Sequence, residues 1–126
     1  MNETTISSDL IRGNIDTIIL RVLIGKDDYG YEIIKTISKN SSGKYELKEP
    51  SLYTSLKRLE SQKLIESYWG DESQGGRRKY YHITSIGKET YKKSLTAWKT
   101  AKDLIDTLIE GNDHDLNSIG TYTKPL

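Results

Sequence analysis

The chain has 126 residues, a hydrophobic content of 34% and a formal net charge of +1 at pH 7. This length fits one domain with at most an appended helix, and the lean apolar content predicts that a partner completes the core. The sequence has no cysteine, which excludes disulfides and thiolate chemistry, and the isolated His82 and His114 do not make a metal site. Because no apolar run of about 18 residues and no leader-like segment occur, we expect a cytosolic protein without membrane contact.

The first part of the chain reads as two helices. Residues 10–24, LIRGNIDTIILRVLI, space their apolar side chains as one face of a helix does. A polar break at 25–28 follows, and Asp28 is predicted to cap a second amphipathic helix over about 29–39. Residues 40–48 are predicted to form a loop or a short extended piece.

Pro50 is predicted to begin a third helix, since a first-turn residue needs no backbone N–H. Leu52, Leu56 and Leu59 fall on one narrow arc with Lys63, so this side should face the core. The remaining side presents hydroxyls and cations: Thr54, Lys57, Arg58 and Ser61, with Ser51 and Tyr53 at its borders. The third helix is therefore predicted to be buried on one side and polar on the other.

A β-hairpin is predicted next. LIESYW and RRKYYHIT favour strands and flank DESQGG, whose glycines can adopt positive φ near the tip. Residues 85–110 then show a coiled-coil-like repeat through Tyr91, Leu95, Trp98, Ile105 and Ile109, with Lys102 as its odd member. Residues 111–126 have no period and are predicted to be a flexible tail.

This order of elements predicts an α+β fold, mostly α, of the winged helix-turn-helix type. In that architecture the polar face of the third helix enters the major groove, and the hairpin lies along the DNA backbone or minor groove. The candidate DNA-contacting residues are Ser51, Tyr53, Thr54, Lys57 and Arg58 on the third helix and Gly76, Arg77, Arg78 and Lys79 on the hairpin. The alternative is a solvated hairpin beside an ordinary surface helix. Two basic surfaces that the fold places side by side favour DNA.

Enzymatic and nucleotide-binding sites are not indicated. The GGRRK segment lacks the spacing of a phosphate-binding P-loop, and 113–118 lacks the glycine and the final acidic residue of a calcium loop. No nucleophile has a plausible histidine partner. We therefore expect a protein that is not an enzyme, with no catalytic residue, no metal and no cofactor.

Three segments carry a resemblance to a known family. YGYEIIK at 29–35, EPSLYTSLKRLESQKLIESYW at 49–69 and GGRRKYYHITSIGKE at 75–89 are similar to the PadR family of bacterial transcriptional regulators. The resemblance covers residues 10–110. The stretch SYWGDESQGGRRKYY and the short tail look most like the multidrug-sensing repressors of that family.

The resemblance implies a homodimeric repressor that binds a pseudo-palindromic double-stranded operator of a drug-efflux or detoxification gene. It divides the chain into a winged helix-turn-helix DNA-binding domain at 1–84, a dimerisation helix at 85–110 and the flexible tail at 111–126. It also implies a pore at the dimer axis, in which Trp98 and its copy in the second subunit sandwich a planar aromatic effector. The other implied ligand-binding residues are Leu10, Gly13, Asn14, Asp16, Thr17 and Ser94.

One position departs from that pattern, because Lys102 stands where the similar drug sensors have an acidic residue. A preference for cationic drugs is therefore not implied. Two alternatives stay open: a PadR-type regulator without a drug pore, responding to phenolic acids or to no ligand, and a winged-helix protein-interaction module. Trp98 would then be a core residue of the dimer only.

Overall fold

The computed structural model describes residues 7–70 and 76–111. In chain order it contains α1 (Ser8–Ile11), a 3-10 turn (Arg12–Asn14), α2 (Ile15–Gly25), β1 (Asp28–Tyr29), α3 (Gly30–Asn40), α4 (Glu49–Ser61), β2 (Ile65–Trp69), β3 (Lys79–Ile83) and α5 (Ser85–Glu110). The chain separates into two compact units, residues 1–92 and residues 93–126. The predicted tail from 112 onward lies outside the described residues.

The predicted first helix is divided into two. Ser7 caps α1, its hydroxyl accepting the N–H of Asp9 at 3.2 Å, and α1 ends only four residues later. Gly13 and Asn14 have low helix propensity, and Asn14 leaves the helical region with φ −115° and ψ 5°. The helical spacing of residues 10–24 therefore continues across a tighter turn.

The core of the first unit lies between α2, α3, α4 and the sheet. Its buried side chains are Ile19, Leu20 and Leu23 of α2, Ile33 and Ile37 of α3, Leu52, Leu56 and Leu59 of α4, and Leu47, Leu64, Ile65, Tyr81 and Ile83 around them. Tyr45 and Tyr91 pack against this cluster from its edge. The arc of leucines predicted for the third helix is thus the contact surface of α4.

The sheet has three antiparallel strands in the order β1-β3-β2. Ile65 pairs with Ile83 and Trp69 with Lys79, which confirms the predicted hairpin, although its turn at 71–75 lies outside the described residues. The short strand β1 was not predicted, because two residues carry no periodic signal. Asp28 belongs to it, paired with Tyr81. The prediction that Asp28 caps α3 is wrong, since Tyr29 occupies the cap position.

The long helix α5 has the bounds that the sequence predicted. The Thr84 hydroxyl accepts the N–H of Gly87 at 3.0 Å, and a Cβ on Gly87 would meet the carbonyl oxygen of Leu64 and Ile83 Cγ1. No side chain larger than hydrogen fits there. The architecture is mostly helical with a small three-stranded sheet and a long last helix, which confirms the predicted winged-helix class. Among the described residues, no helix has the length and apolarity needed to span a bilayer.

Candidate nucleic-acid interface

Helix α4 presents a polar face outside the core. Pro50 lies in its first turn, and Leu52, Leu56 and Leu59 are at most 1% exposed. Ser51, Tyr53, Thr54 and Lys57 are all exposed, as the sequence predicted for residues that contact DNA. The burial of one face fixes the helix, so the opposite face is presented in a single orientation.

The hairpin of β2 and β3 with residues 76–78, called the wing below, is tied to the turn between α2 and β1. The Asp27 carboxylate accepts the Tyr68 hydroxyl at 2.7 Å and lies 2.8 Å from His82 Nδ1. Burial opposes ionisation of Asp27, but the hydrogen bonds from His82 and Tyr68 outweigh it and lower the pKa of this carboxyl. Both long strands of the sheet are therefore held by one carboxylate.

The basic residues of the wing are exposed, and each lies over an aromatic ring. Arg77 lies 5.2 Å from the ring centre of Trp69, Arg78 lies 4.6 Å from that of Tyr29, and Lys79 lies 5.9 Å from that of Tyr81. Such contacts orient a cation without removing its charge. Gly76, just before them, has φ +86°, as predicted for the glycines of this loop.

Helix α4 and the wing meet at one surface cleft. Its walls are formed by Tyr53 of α4, by Arg78 and Lys79 of the wing, and by Tyr29, Gly30, Tyr31 and Tyr81. Its volume is about 390 Å³. The two surfaces that the sequence analysis expected to be neighbours therefore share a boundary in the first unit.

Arg58 is engaged within the protein. Its Nε and Nη2 donate to the two carboxylate oxygens of Asp16, both at 2.8 Å, and Nη2 also lies 3.1 Å from Ser55 Oγ. Hydrogen bonding to Asp16 raises the pKa of Arg58 above its usual value. A residue predicted to contact DNA is thus paired with a residue predicted to line an effector pore.

The other predicted effector residues lie in both units. Leu10 is on α1, Gly13 and Asn14 are in the 3-10 turn, and Thr17 is on α2. In the second unit Ser94 and Trp98 stand one turn apart on α5, and the Trp98 side chain is 41% exposed. Lys102, a further turn along, donates to Asp106 at 3.1 Å.

Comparison with known proteins identifies the family. The model of the transcriptional regulator PadR-like family matches residues 19–93, which include most of α2, all of α3 and α4, and the whole sheet. The chain belongs to the PadR-like family. It is a family of transcriptional regulators and not of enzymes, which supports DNA binding and agrees with the absence of a catalytic motif from the sequence.

Relatives of this PadR-like regulator cover most of its length. An uncharacterized protein of Lysinibacillus sphaericus is 46% identical over 84% of this chain and 97% of its own. A transcriptional regulator from Clostridium thermocellum is 45% identical, with a TM-score of 0.73 over 78% of this chain and 95% of its own. A PadR family regulator from Clostridium difficile is 40% identical, with a TM-score of 0.67 over 76% of this chain and 98% of its own.

Four residues of the cleft were not predicted as site residues: Tyr29, Gly30, Tyr31 and Tyr81. Tyr29, Gly30 and Tyr31 were assigned to an amphipathic helix, and the structure does place Gly30 and Tyr31 in α3, but it also brings all three beside α4 and the wing. The available signal was the pair of tyrosines around a glycine, one of which, Tyr31, is 62% exposed. Strand β1 brings them to β3, and a two-residue strand cannot be inferred from periodicity.

Proposed function

We propose that this PadR-like regulator is a homodimeric repressor that binds a pseudo-palindromic operator through α4 and the wing. The cleft shared by Tyr53, Arg78 and Lys79 carries the proposal, because it makes the polar face of α4 and the cations of the wing one continuous surface. Thr54 and Lys57 are exposed on the side of α4 that would face base edges, with Ser51 at its first turn.

The wing would contact the phosphate backbone. Gly76 allows close approach of the loop, and Arg77, Arg78 and Lys79 supply charge without sequence preference. A mobility-shift assay with unrelated duplexes at low and high salt tests this directly. Each phosphate neutralised steepens the slope of log affinity against log salt concentration by about 0.9. Binding that weakens strongly with salt is expected. A chain that binds no duplex at low salt would instead favour the protein-interaction module.

The dimer would form through the second unit. Trp98, Leu104, Ile105, Leu108 and Ile109 are between 41% and 78% exposed on α5. Apolar side chains at this spacing are typical of helices that pack against a second helix. Sedimentation equilibrium should give twice the chain mass, and Ile105→Glu should lower it to the monomer mass. The boundaries 1–84, 85–110 and 111–126 are part of this proposal.

The effector would be a planar aromatic compound stacked on Trp98 at the dimer axis. Its binding would release the repressor from the operator of a drug-efflux or detoxification gene. The similarity of residues 67–81 to the multidrug-sensing repressor LmrR and the exposure of Trp98 support this. Asp16 is held by Arg58 and so does not attract a cationic compound, and neutral or anionic compounds should bind best.

A PadR-type regulator without such a pore is the second candidate. The observation that favours it is the Asp16–Arg58 pair, because a residue implied to line the pore is already occupied within its own chain. Quenching of Trp fluorescence by planar dyes supports the pore, and its absence with every dye supports the second candidate.

A further inference from the structure

Tyr53 lies in the cleft between α4 and the wing, and its position there fits a contact with the DNA backbone. Tyr53 was predicted to contact DNA from the third helix, whose polar face would enter the major groove and its base edges. In the structure its phenol lies against the backbone of Gly30, the first residue of α3. A Cβ at Gly30 would meet the Tyr53 hydroxyl, with Tyr53 Cζ at 3.0 Å. The hydroxyl is therefore held at the side of α4, within the cleft.

The chemistry around this hydroxyl suits an anion. Arg78 and Lys79 line the same cleft, and both are exposed. Among the residues that the structure describes, the remaining walls are Tyr29, Tyr31 and Tyr81 with Gly30, and none of these lining residues is a carboxylate. A hydroxyl donor in a cleft that two cations also line matches the oxygens of a phosphodiester, which accept hydrogen bonds and carry negative charge.

We infer that this cleft seats one phosphate of the DNA backbone, with Tyr53 donating its hydroxyl and with Arg78 and Lys79 supplying the charge. The inference rests on the proposed DNA binding and deepens it, because it assigns Tyr53 to the backbone instead of a base edge. It also explains the glycine at position 30: only a residue without a side chain leaves room for the Tyr53 ring to lie there.

A phosphate contact and a base contact by Tyr53 predict different results. Removal of a hydroxyl that donates to phosphate should weaken binding to every duplex by a similar factor, because the backbone carries no sequence information. The slope of log affinity against log salt should stay unchanged, since no cation is lost. Removal of a base contact should instead change the ranking of duplexes.

The test is fluorescence anisotropy of the full chain with labelled duplexes of several unrelated sequences, over a range of salt. Tyr53→Phe should lose about tenfold in affinity for each duplex, the loss expected for one hydrogen bond to a charged acceptor. Lys79→Ala should weaken binding and also lower the salt slope by about one. Tyr91→Phe, which removes a hydroxyl from α5, is the matched control and should bind as the wild type does.

Gly30→Ala tests the position of the ring. Its methyl group should displace the Tyr53 hydroxyl and reproduce the loss seen in Tyr53→Phe. The double variant Gly30→Ala/Tyr53→Phe should lose no more than either single variant, because both remove the same contact. A Gly30→Ala chain that fails to fold leaves the decision to Tyr53→Phe, whose ring is retained.

The outcomes separate this inference from the function on which it rests. If Tyr53→Phe binds every duplex as the wild type does, or alters the ranking of duplexes, the phosphate seat is overturned while Lys79→Ala still reports DNA binding. If the wild-type chain binds no duplex, the proposed function itself is overturned, and this inference with it.

Discussion

The pair formed by Asp16 and Arg58 leads to a prediction about DNA affinity. Asp16→Asn keeps the shape of the side chain and removes its charge, so the bidentate contact with Arg58 is reduced to a single hydrogen bond at most. Arg58 is 48% exposed on α4, the helix proposed to enter the major groove. We expect the freed guanidinium to reach a phosphate and DNA binding to become stronger at low salt.

The size of the expected gain in affinity follows from the one additional phosphate that Arg58 would neutralise. One further phosphate neutralised steepens the salt slope by about 0.9. When salt falls from about 200 to about 50 mM, the DNA affinity of the variant should therefore rise about 3.5-fold more than that of the wild type. The same change should cost stability. The side chains of the pair are 48% and 30% exposed, which limits its contribution to about 0.2–1 kcal/mol, and Asp16 also lies in the first turn of α2, worth about 0.3–1 kcal/mol.

Fluorescence anisotropy with an unrelated duplex measures the slope, and thermal unfolding measures the stability. Asp106→Asn is the matched control, because it removes one carboxylate from an exposed pair with Lys102 on α5. It should leave the slope at the wild-type value. The double variant Asp16→Asn/Arg58→Ala should return the slope to that of the wild type. An Asp16→Asn slope equal to the wild-type slope would refute a DNA-contacting position for Arg58.

Three further predictions concern the wing, the effector and the fold. Arg77→Ala/Arg78→Ala should weaken binding to all duplexes and lower the salt slope by up to about two; a wild-type slope would contradict the wing assignment. Trp98→Ala should abolish quenching by planar dyes that the wild type shows, and equal dye affinity would make Trp98 a residue of the dimer core only. Gly87→Ala should destabilise the protein by about 1–3 kcal/mol in a denaturant titration, because its methyl group meets a backbone carbonyl that cannot rotate away. An unchanged midpoint would show that α5 can shift at no cost.

The elements with a long repeat were determined by the sequence. The spacing of Leu52, Leu56 and Leu59 and the repeat of α5 each place apolar side chains on one face over several turns, which few other conformations can satisfy. The hairpin was predictable from a different local signal, turn-forming residues between two strand-forming segments. The resemblance to PadR regulators rested on these segments and is confirmed by the family match over residues 19–93.

Tertiary structure decided the features that depend on contacts between distant residues. Strand β1 exists because β3 offers it a partner 53 residues away in register, Asp28 with Tyr81, and its own two residues carry no signal. Asp16 and Arg58 are 42 residues apart, and neither residue alone shows that the other neutralises it. The sequence identified Tyr53 as a polar residue on α4, but only the approach of Gly30 determines where its hydroxyl lies. Local periodicity determines which face of an element is buried, whereas the partner of a polar side chain depends on how the elements pack.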